Sequence, residues 1–415
     1  MDHYACIDIK SFFASVECVE RGLDPMKTRL VVADPTRGDG TICLAVTPEM
    51  KRLGVKNRCR VYEIPRDIDY IKAPPRMKKY LEYSAEVYGV YLKYVSKDDI
   101  HVYSVDEAFL YLTPYLSLYK TTAEELARKI CRDIYDTLGL VVSCGLGTNM
   151  YLAKIALDIT AKKSSDFFGY LDEDSFRKTL WDHTPLTDFW RIGPGTAKTL
   201  ASHGIFTMRG VAYCPTGLLK KLFGIDAEIL HDHAWGIEPT KISDIKKYRS
   251  FSNSLSSGQI LMRDYAYSEA EIIVSEMAEN LWLELFDSGL EMKSVTLNVG
   301  YADYGTDRGS KKFNLPTSSL TEVKKALKTI YEAKTERDRP IRRIGISFND
   351  VAKEKCEQLS FFDGGREREK RLSRAVIGIK KKYGSNSLIR GHDLYSFATK
   401  RERNGQIGGH RSGEG

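Results

Sequence analysis

One order of elements runs through this chain twice: a strand, a helix, two strands, a helix and a strand. The second copy is uninterrupted. Strand patterns cover Phe251–Leu261, Ser294–Tyr301, Lys311–Leu315 and Ile341–Asn349, and helical patterns cover Ser268–Leu285 and Ser319–Lys334. In the first of these helices Ile273, Met277, Leu281 and Leu285 recur every fourth residue and turn one stripe toward a core. The first copy opens with Tyr4–Ile9, where Ala5, Ile7 and Ile9 share one strand face and Asp8 takes the other. A helix follows over Phe12–Glu20. After an insertion come Ile100–Val105 and Ala108–Leu112, broken only by Asp106-Glu107. The helix Thr121–Leu138, with Leu126, Ile130, Ile134 and Leu138 in register, starts at a Thr122-x-x-Glu125 capping box. Strand Leu140–Cys144 and helix Asn149–Lys162 complete it. Sheets with helices segregated to one face define an α+β class.

Without its insertion the first half is close to a split βαβ sheet of the ferredoxin-like kind. The insertion, roughly 20–75, holds a short strand at Leu30–Ala33, the turn-rich Asp34–Gly40 and a helical Pro48–Leu53. Residues 166–240 read as short helices and carry Ile192-Gly193-Pro194-Gly195, a helix–hairpin–helix pattern. From Lys241 to Arg249 the run is polar and basic without an apolar period, which predicts a linker.

Charge is unevenly placed. The net charge is +7, and residues 353–415 hold 15 Lys or Arg against 8 Asp or Glu, so the preceding body is neutral. Only local segregation of charge could make that body bind nucleic acid. With 42% hydrophobic and 11% aromatic residues the chain is not globally disordered, and a mean hydropathy of −0.35 without a long apolar run predicts no membrane span. Met1-Asp2-His3-Tyr4 shows no basic stretch leading into an apolar one, so no secretory leader is expected. The eight scattered cysteines form no Cys-x-x-Cys pair, which fits reduced thiols and a cytoplasmic protein.

Asp8, Asp106 and Glu107 form the sharpest chemical constellation. An acid on an early strand and an acid pair at the break between two later strands can meet at one sheet edge. Two divalent ions about 3.5–4 Å apart need such bridging carboxylates. Solvent-facing acids at a turn have the same pattern, so the residues alone leave both readings open.

The wording around them narrows this. Asp8-Ile9-Lys10-Ser11-Phe12-Phe13-Ala14-Ser15-Val16-Glu17, Tyr103-Ser104-Val105-Asp106-Glu107-Ala108-Phe109-Leu110 and Asn149-Met150-Tyr151-Leu152-Ala153-Lys154-Ile155-Ala156 together resemble the catalytic core of the Y-family translesion DNA polymerases. The likeness covers roughly residues 4–350 and is closer to the UmuC-like bacterial branch than to the DinB-like one. It implies a right-hand polymerase: palm at 1–11 and 76–165, fingers at 12–75, thumb at 166–240, linker at 241–249, little finger at 250–352 and a basic tail at 353–415.

The same resemblance implies residue roles. Asp8, Asp106 and Glu107 match the catalytic acids that hold two Mg²⁺ ions. Phe13 matches the steric gate, a ring that leaves no space for a 2′-hydroxyl; by spacing alone it reads as a core aromatic. Lys51 and Lys154 match cations that grip the triphosphate, with backbone N–H groups near Phe12 and Phe13 beside them. Gly193, Gly195 and Lys198 match a hairpin that contacts DNA backbone. Gln358-Leu359-Ser360-Phe361-Phe362 resembles the bacterial sliding-clamp motif.

Two departures stand out. Pro48 occupies a place where relatives often carry a Tyr, so a phosphate contact is lost or passes to Thr47. Lys10 puts a cation two residues after the first acid, facing either phosphate or solvent. The resulting expectation is template-directed, error-prone lesion bypass on primed DNA with dNTPs, within an SOS-type response and without a proofreading exonuclease. An accessory subunit or recombinase filament would be a further partner of such an enzyme. The competing readings are a catalytically silent DNA-binding or clamp-occupying regulator, and another palm-type enzyme such as a nucleotide cyclase.

Overall fold

The structure is a computed structural model that describes residues 1–250, 253–354 and 364–413. It divides into two compact units: one of residues 1–248 together with the last residues from Arg411, and one of 249–410.

The first unit is built on a five-stranded sheet. Its elements begin with β1 (Tyr4–Ile9), α1 (Phe12–Val19), β2 (Leu30–Val32), β3 (Ala45–Val46), α2 (Pro48–Arg52), β4 (Ile71–Ala73) and α3 (Met77–Leu92). They continue with β5 (Ile100–Val102), β6 (Glu107–Tyr111), α4 (Thr113–Tyr119), α5 (Ala123–Leu138), β7 (Val142–Gly147), α6 (Met150–Ile155) and β8 (Phe168–Leu171). The strand order is β5-β6-β1-β7-β8, with β1 antiparallel to both neighbours. Apolar groups cover both faces of β1. Ala5, Ile7 and Ile9 enter the core shared with α1, α3 and α5, while Tyr4 and Cys6 pack with Phe109, Met150 and Leu157.

Several elements depart from the sequence reading. Strand β8 lies inside a stretch read as helical, where it adds to β7 in parallel. Helix α3 had no counterpart, since its buried Tyr80, Val87, Val90 and Tyr91 alternate with charges and further tyrosines. The insertion forms a second sheet, β3-β2-β4, of which only β2 was anticipated.

Between β8 and the end of this unit lie α7 (Glu173–Leu180), α8 (Pro194–Ala201), α9 (Met208–Ala212), α10 (Thr216–Phe223), α11 (Asp226–Ala234) and α12 (Ile242–Lys247). Phe176, Phe189, Leu200, Met208 and Leu219 form their core. The stretch read as a linker is largely α12, because Ile242 is buried against Tyr4, Phe109 and Met150. One apolar residue per turn anchors a short helix that shows no periodic stripe.

The second unit contains β9 (Ser254–Tyr265), α13 (Tyr267–Asp287), β10 (Leu290–Tyr301), β11 (Thr306–Thr317), α14 (Leu320–Lys334) and β12 (Ile341–Asn349). Its elements run strand, helix, two strands, helix, strand, as the sequence predicts, and its strands stand as β11-β10-β12-β9, all antiparallel. In the first unit the opening strand is internal; here it is an edge. The basic tail carries β13 (Ala352–Lys353), α15 (Gly364–Tyr383), α16 (Lys400–Arg403), β14 (Gln406–Ile407) and β15 (His410–Arg411). It docks through charge. Glu279 of α13, almost fully buried, pairs with Arg390 at 2.5 Å, Lys400 at 3.4 Å and Lys324 at 3.4 Å. No helix among the described residues is long and apolar enough to cross a membrane.

Candidate active site

Strands β1 and β6 set Asp8 directly opposite Glu107, with Cys6 opposite Phe109. Opposed residues on antiparallel strands project to the same face, so the carboxylates of Asp8 and Glu107 and the thiol of Cys6 share one side. The Ile9 N–H donates to the Asp106 carbonyl at 3.0 Å, which seats Asp106 at the mouth of the same strand pair. Asp8 and Asp106 line a cavity of about 630 Å³ with Lys10, Phe13, Lys51 and Lys162. Pro48, Arg58 and Ser143 complete its polar and turning wall.

Charges of both signs crowd this space. Burial pushes the Asp8 carboxyl above its ordinary value, and Asp106 and Glu107 push the same way. Lys162 opposes them, with Nζ 3.1 Å from Asp8 and 2.8 Å from Asp158. Burial alone would lower the Lys162 ammonium, but those two carboxylates hold it above the ordinary lysine value. Burial lowers both Lys10 and Lys51. Lys10 also lies 3.8 Å over the Phe167 ring, so it faces the cavity rather than open solvent.

Glu107 is held differently. Its Oε2 accepts from Lys154 Nζ at 2.7 Å and its Oε1 from the Cys6 thiol at 3.2 Å. Lys154 is itself buried beneath the sheet and also pairs with Asp158 at 3.1 Å. It does not line the cavity, whereas Lys162, which the sequence reading passed over, does. The cause is local. After α6 the backbone widens into a π-helical turn over Ala156–Thr160, and Asp158 then touches Lys154 and Lys162 four residues to either side. The spacing Asp158-x-x-x-Lys162 was the available signal. Gly145 and Gly147 let α6 sit this close to β7, because a Cβ on either would lie 2.2–2.3 Å from helix backbone.

Among the described residues no three acids, histidines or cysteines already stand as a metal-holding group. Asp8 is paired with Lys162, Asp106 accepts from the Ser104 hydroxyl at 2.6 Å, and Glu107 is turned to Lys154.

The remaining candidates are placed as follows. Phe12 is buried and Phe13 half-buried at the start of α1, where Ser11 takes a left-handed φ of 50°. The Phe13 ring stacks on Tyr80 at 4.5 Å. Lys51 reaches the cavity from α2. Thr47, offered as a substitute for the missing Tyr, is fully buried and its hydroxyl accepts from the Leu30 N–H at 3.2 Å, away from the cavity. Gly193, Gly195 and Lys198 form an exposed turn into α8, far more open than the strand glycines. Gln358, Leu359, Ser360, Phe361 and Phe362 lie outside the described residues.

Comparison with known proteins identifies the family. The impB/mucB/samB family model matches residues 7–158, and the model of that family's C-terminal domain matches residues 252–361. The chain is 31% identical to "Putative UV-damage repair protein UvrX" of Bacillus subtilis (strain 168), over 98% of this chain and 97% of that protein. It is 28% identical to "DNA polymerase IV 2" of the same strain, over 97% of each. Among solved structures, the "Y-family DNA polymerase chimera Dbh-Dpo4(243-245)-Dbh" superposes with a TM-score of 0.67 at 22% identity, covering 85% of this chain and all of that one. The chain belongs to the impB/mucB/samB family, the Y-family translesion DNA polymerases, and is a DNA-directed DNA polymerase.

Proposed function

We propose that this polymerase extends a primer 3′-hydroxyl with dNTPs opposite damaged template bases by two-metal-ion catalysis at Asp8, Asp106 and Glu107. Y-family polymerases depend on a divalent metal. The donor set fits one: hard carboxylate oxygens, two of them facing the cavity, with like-charge crowding at Asp8 that a divalent cation would relieve. When bound, two Mg²⁺ ions would lower the pKa of the primer hydroxyl and neutralise charge on the triphosphate.

The chain's own residues do the rest. Lys10, Lys51 and Lys162 line the wall that a triphosphate would occupy, and the first N–H groups of α1, at Phe12 and Phe13, would add donors for its oxygens. Lys154 keeps the Glu107 carboxylate oriented. Phe13 places its ring under the sugar and excludes a 2′-hydroxyl. In this reading the five-stranded sheet is the palm, the β3-β2-β4 sheet the fingers, α7–α11 the thumb and the second unit the little finger. The turn at Gly193 and Gly195, with Lys198, meets DNA backbone without reading sequence.

The short fingers leave little surface to test base-pair shape, which makes synthesis error-prone and suits damage-induced, SOS-type use. The peptide Gln358–Phe362 supplies three large apolar side chains for a sliding-clamp pocket, a reading that rests on sequence alone.

The observation that carries this function is the convergence of two acids and three lysines on one cavity beside Phe13. Primer extension across a defined template lesion, with Mg²⁺ and single dNTPs, tests it. Extension that follows the template supports it; a cyclic product from free NTP without primer would assign the chain a different chemistry.

A further inference from the structure

Every residue that the insertion lends to the cavity wall lies between two cysteines. Leu44, Ala45, Pro48, Lys51, Asn57 and Arg58 line the cavity, and Cys43 and Cys59 stand one residue outside either end of that run. The chain closes on itself there. Ile42 and Arg60 form an antiparallel bridge, which sets Cys43 opposite Cys59. The Cys43 N–H donates to the Cys59 carbonyl at 2.8 Å, and the Val61 N–H to the Thr41 carbonyl at 3.0 Å. Nucleotidyl transfer uses neither thiol.

Opposed residues of an antiparallel pair project to one side, with Cβ atoms about 4.5–5.5 Å apart. Both side chains accordingly enter one apolar cluster with Val31, Val46 and Val61, where Cys43 is fully buried and Cys59 half-buried. Both thiols are free, and they hydrogen-bond one another. Burial first, and then the neighbouring Cys59, push the Cys43 thiol up to about 12, so Cys43 stays protonated at rest. A disulfide needs Cα atoms about 4.4–6.8 Å apart, a range that includes the roughly 4.5–5.5 Å of opposed antiparallel residues. The Cys59 N–H turns back to the Lys56 carbonyl at 3.4 Å instead of joining the ladder, and Arg58 before it holds a left-handed φ of 61°. A single backbone bond therefore joins the two cysteines directly.

We propose that Cys43 and Cys59 are a modification site: hydrogen peroxide joins them as a disulfide that fixes the base of the 44–58 loop and weakens nucleotide capture. The effect on nucleotides rests on the reading of the cavity as the dNTP site; the cross-link itself does not. The more exposed Cys59 reacts first. Its thiolate attacks one peroxide oxygen and the O–O bond breaks. The leaving hydroxide takes up the proton that Cys59 shed, giving a sulfenic acid and water. The Cys43 sulfur then attacks the Cys59 sulfur, and the hydroxyl leaves with the Cys43 proton as a second water. One peroxide is reduced and two thiols are oxidised. A dithiol reductant reverses the bond by thiol–disulfide exchange. Closing it draws Asn57 and Arg58 toward Leu44 and Ala45 by about 1 Å, the difference in Cβ separation between an opposed pair and a disulfide.

The experiment treats the full chain with hydrogen peroxide or with dithiothreitol and compares the parent with Cys59→Ser and with Cys43→Ala, which keeps the buried position apolar. Non-reducing peptide mass spectrometry reads the bond, and primer extension at varied dNTP reads the cavity. In the oxidised parent alone, the expected result is a peptide linked through Cys43 and Cys59. Its dNTP kcat/KM falls about tenfold and returns with dithiothreitol, since an ångström-scale misplacement can cost up to about a hundredfold. Both variants keep their reduced kcat/KM after peroxide. Absence of the linked peptide overturns the site. A linked peptide with unchanged dNTP kcat/KM, or an equal loss in either variant, overturns its hold on the cavity. A reduced parent that extends no primer removes the nucleotide reading and leaves the linked peptide to decide the site.

Discussion

Lys154 Nζ lies 2.7 Å from Oε2 of Glu107, and less than a tenth of either side chain is exposed. This lysine braces Glu107 and does not line the cavity that holds Asp8 and Asp106. Removing one partner of a buried pair strands the other and costs about 3–5 kcal/mol.

Lys154→Met should therefore lower the melting temperature and cut kcat for dNTP insertion by more than about tenfold while moving the dNTP KM by less than about threefold, the pattern of a lost transition-state interaction. Pre-steady-state insertion kinetics measure both quantities. A large rise in KM with kcat retained would return Lys154 to the triphosphate.

Lys162 has the opposite character. Its ammonium pairs with Asp8 at 3.1 Å and would have to leave that carboxylate for a metal ion to take it. Lys162→Met should bind Mn²⁺ more tightly without nucleotide, by about fivefold, the worth of one partly exposed ion pair. The same variant should bind dNTP more weakly. Electron paramagnetic resonance of free Mn²⁺, with and without dNTP, reads both, and weaker Mn²⁺ binding in the nucleotide-free variant would refute the exchange.

Docking of the tail on the second unit should depend on pH through Glu279. Burial would raise its carboxyl, but Lys400, Arg390 and Lys324 bring it from 4.5 down to about 2. A depressed acid contributes stability above its unfolded value and loses it as pH falls through the folded one. The window is therefore from about 4.5 down to about 2. Circular dichroism should show stability falling across that window in the parent and a flatter profile, at lower overall stability, in Glu279→Gln. Parallel profiles would remove Glu279 as the anchor.

Much of this was readable from residues, and the failures share physical causes. That Asp8 and the Asp106-Glu107 pair can meet at one sheet edge was read from the strands that carry them; the exact facing of Asp8 and Glu107 comes from the pairing of β1 with β6. Lys162 was passed over although its spacing from Asp158 was visible, because the π-helical turn at Ala156–Thr160 departs from a regular helical period. Helix α3 was hidden for a related reason: Tyr80 is buried through its ring while its hydroxyl serves Glu17, so its face looks polar in sequence. The pairing of Glu279 with Lys400 in the interior had no counterpart in the sequence reading, because the two charges lie more than a hundred residues apart and share no local pattern. The element order was correctly read in the second unit, whereas α3 and β8 were missed in the first. The different strand orders of the two units arise from pairings between distant strands, which no local pattern encodes.

The central claim is that Asp106 and its neighbouring acids carry metal-dependent nucleotidyl transfer. The most direct test is single-turnover primer extension by Asp106→Ala at saturating Mg²⁺ and dNTP, with primer-template affinity measured alongside by fluorescence anisotropy. The expected result is extension lost by at least about a thousandfold, the scale of removing a charge-stabilising group from an active site, with DNA affinity within about threefold of the parent. Extension at the parental rate would contradict it.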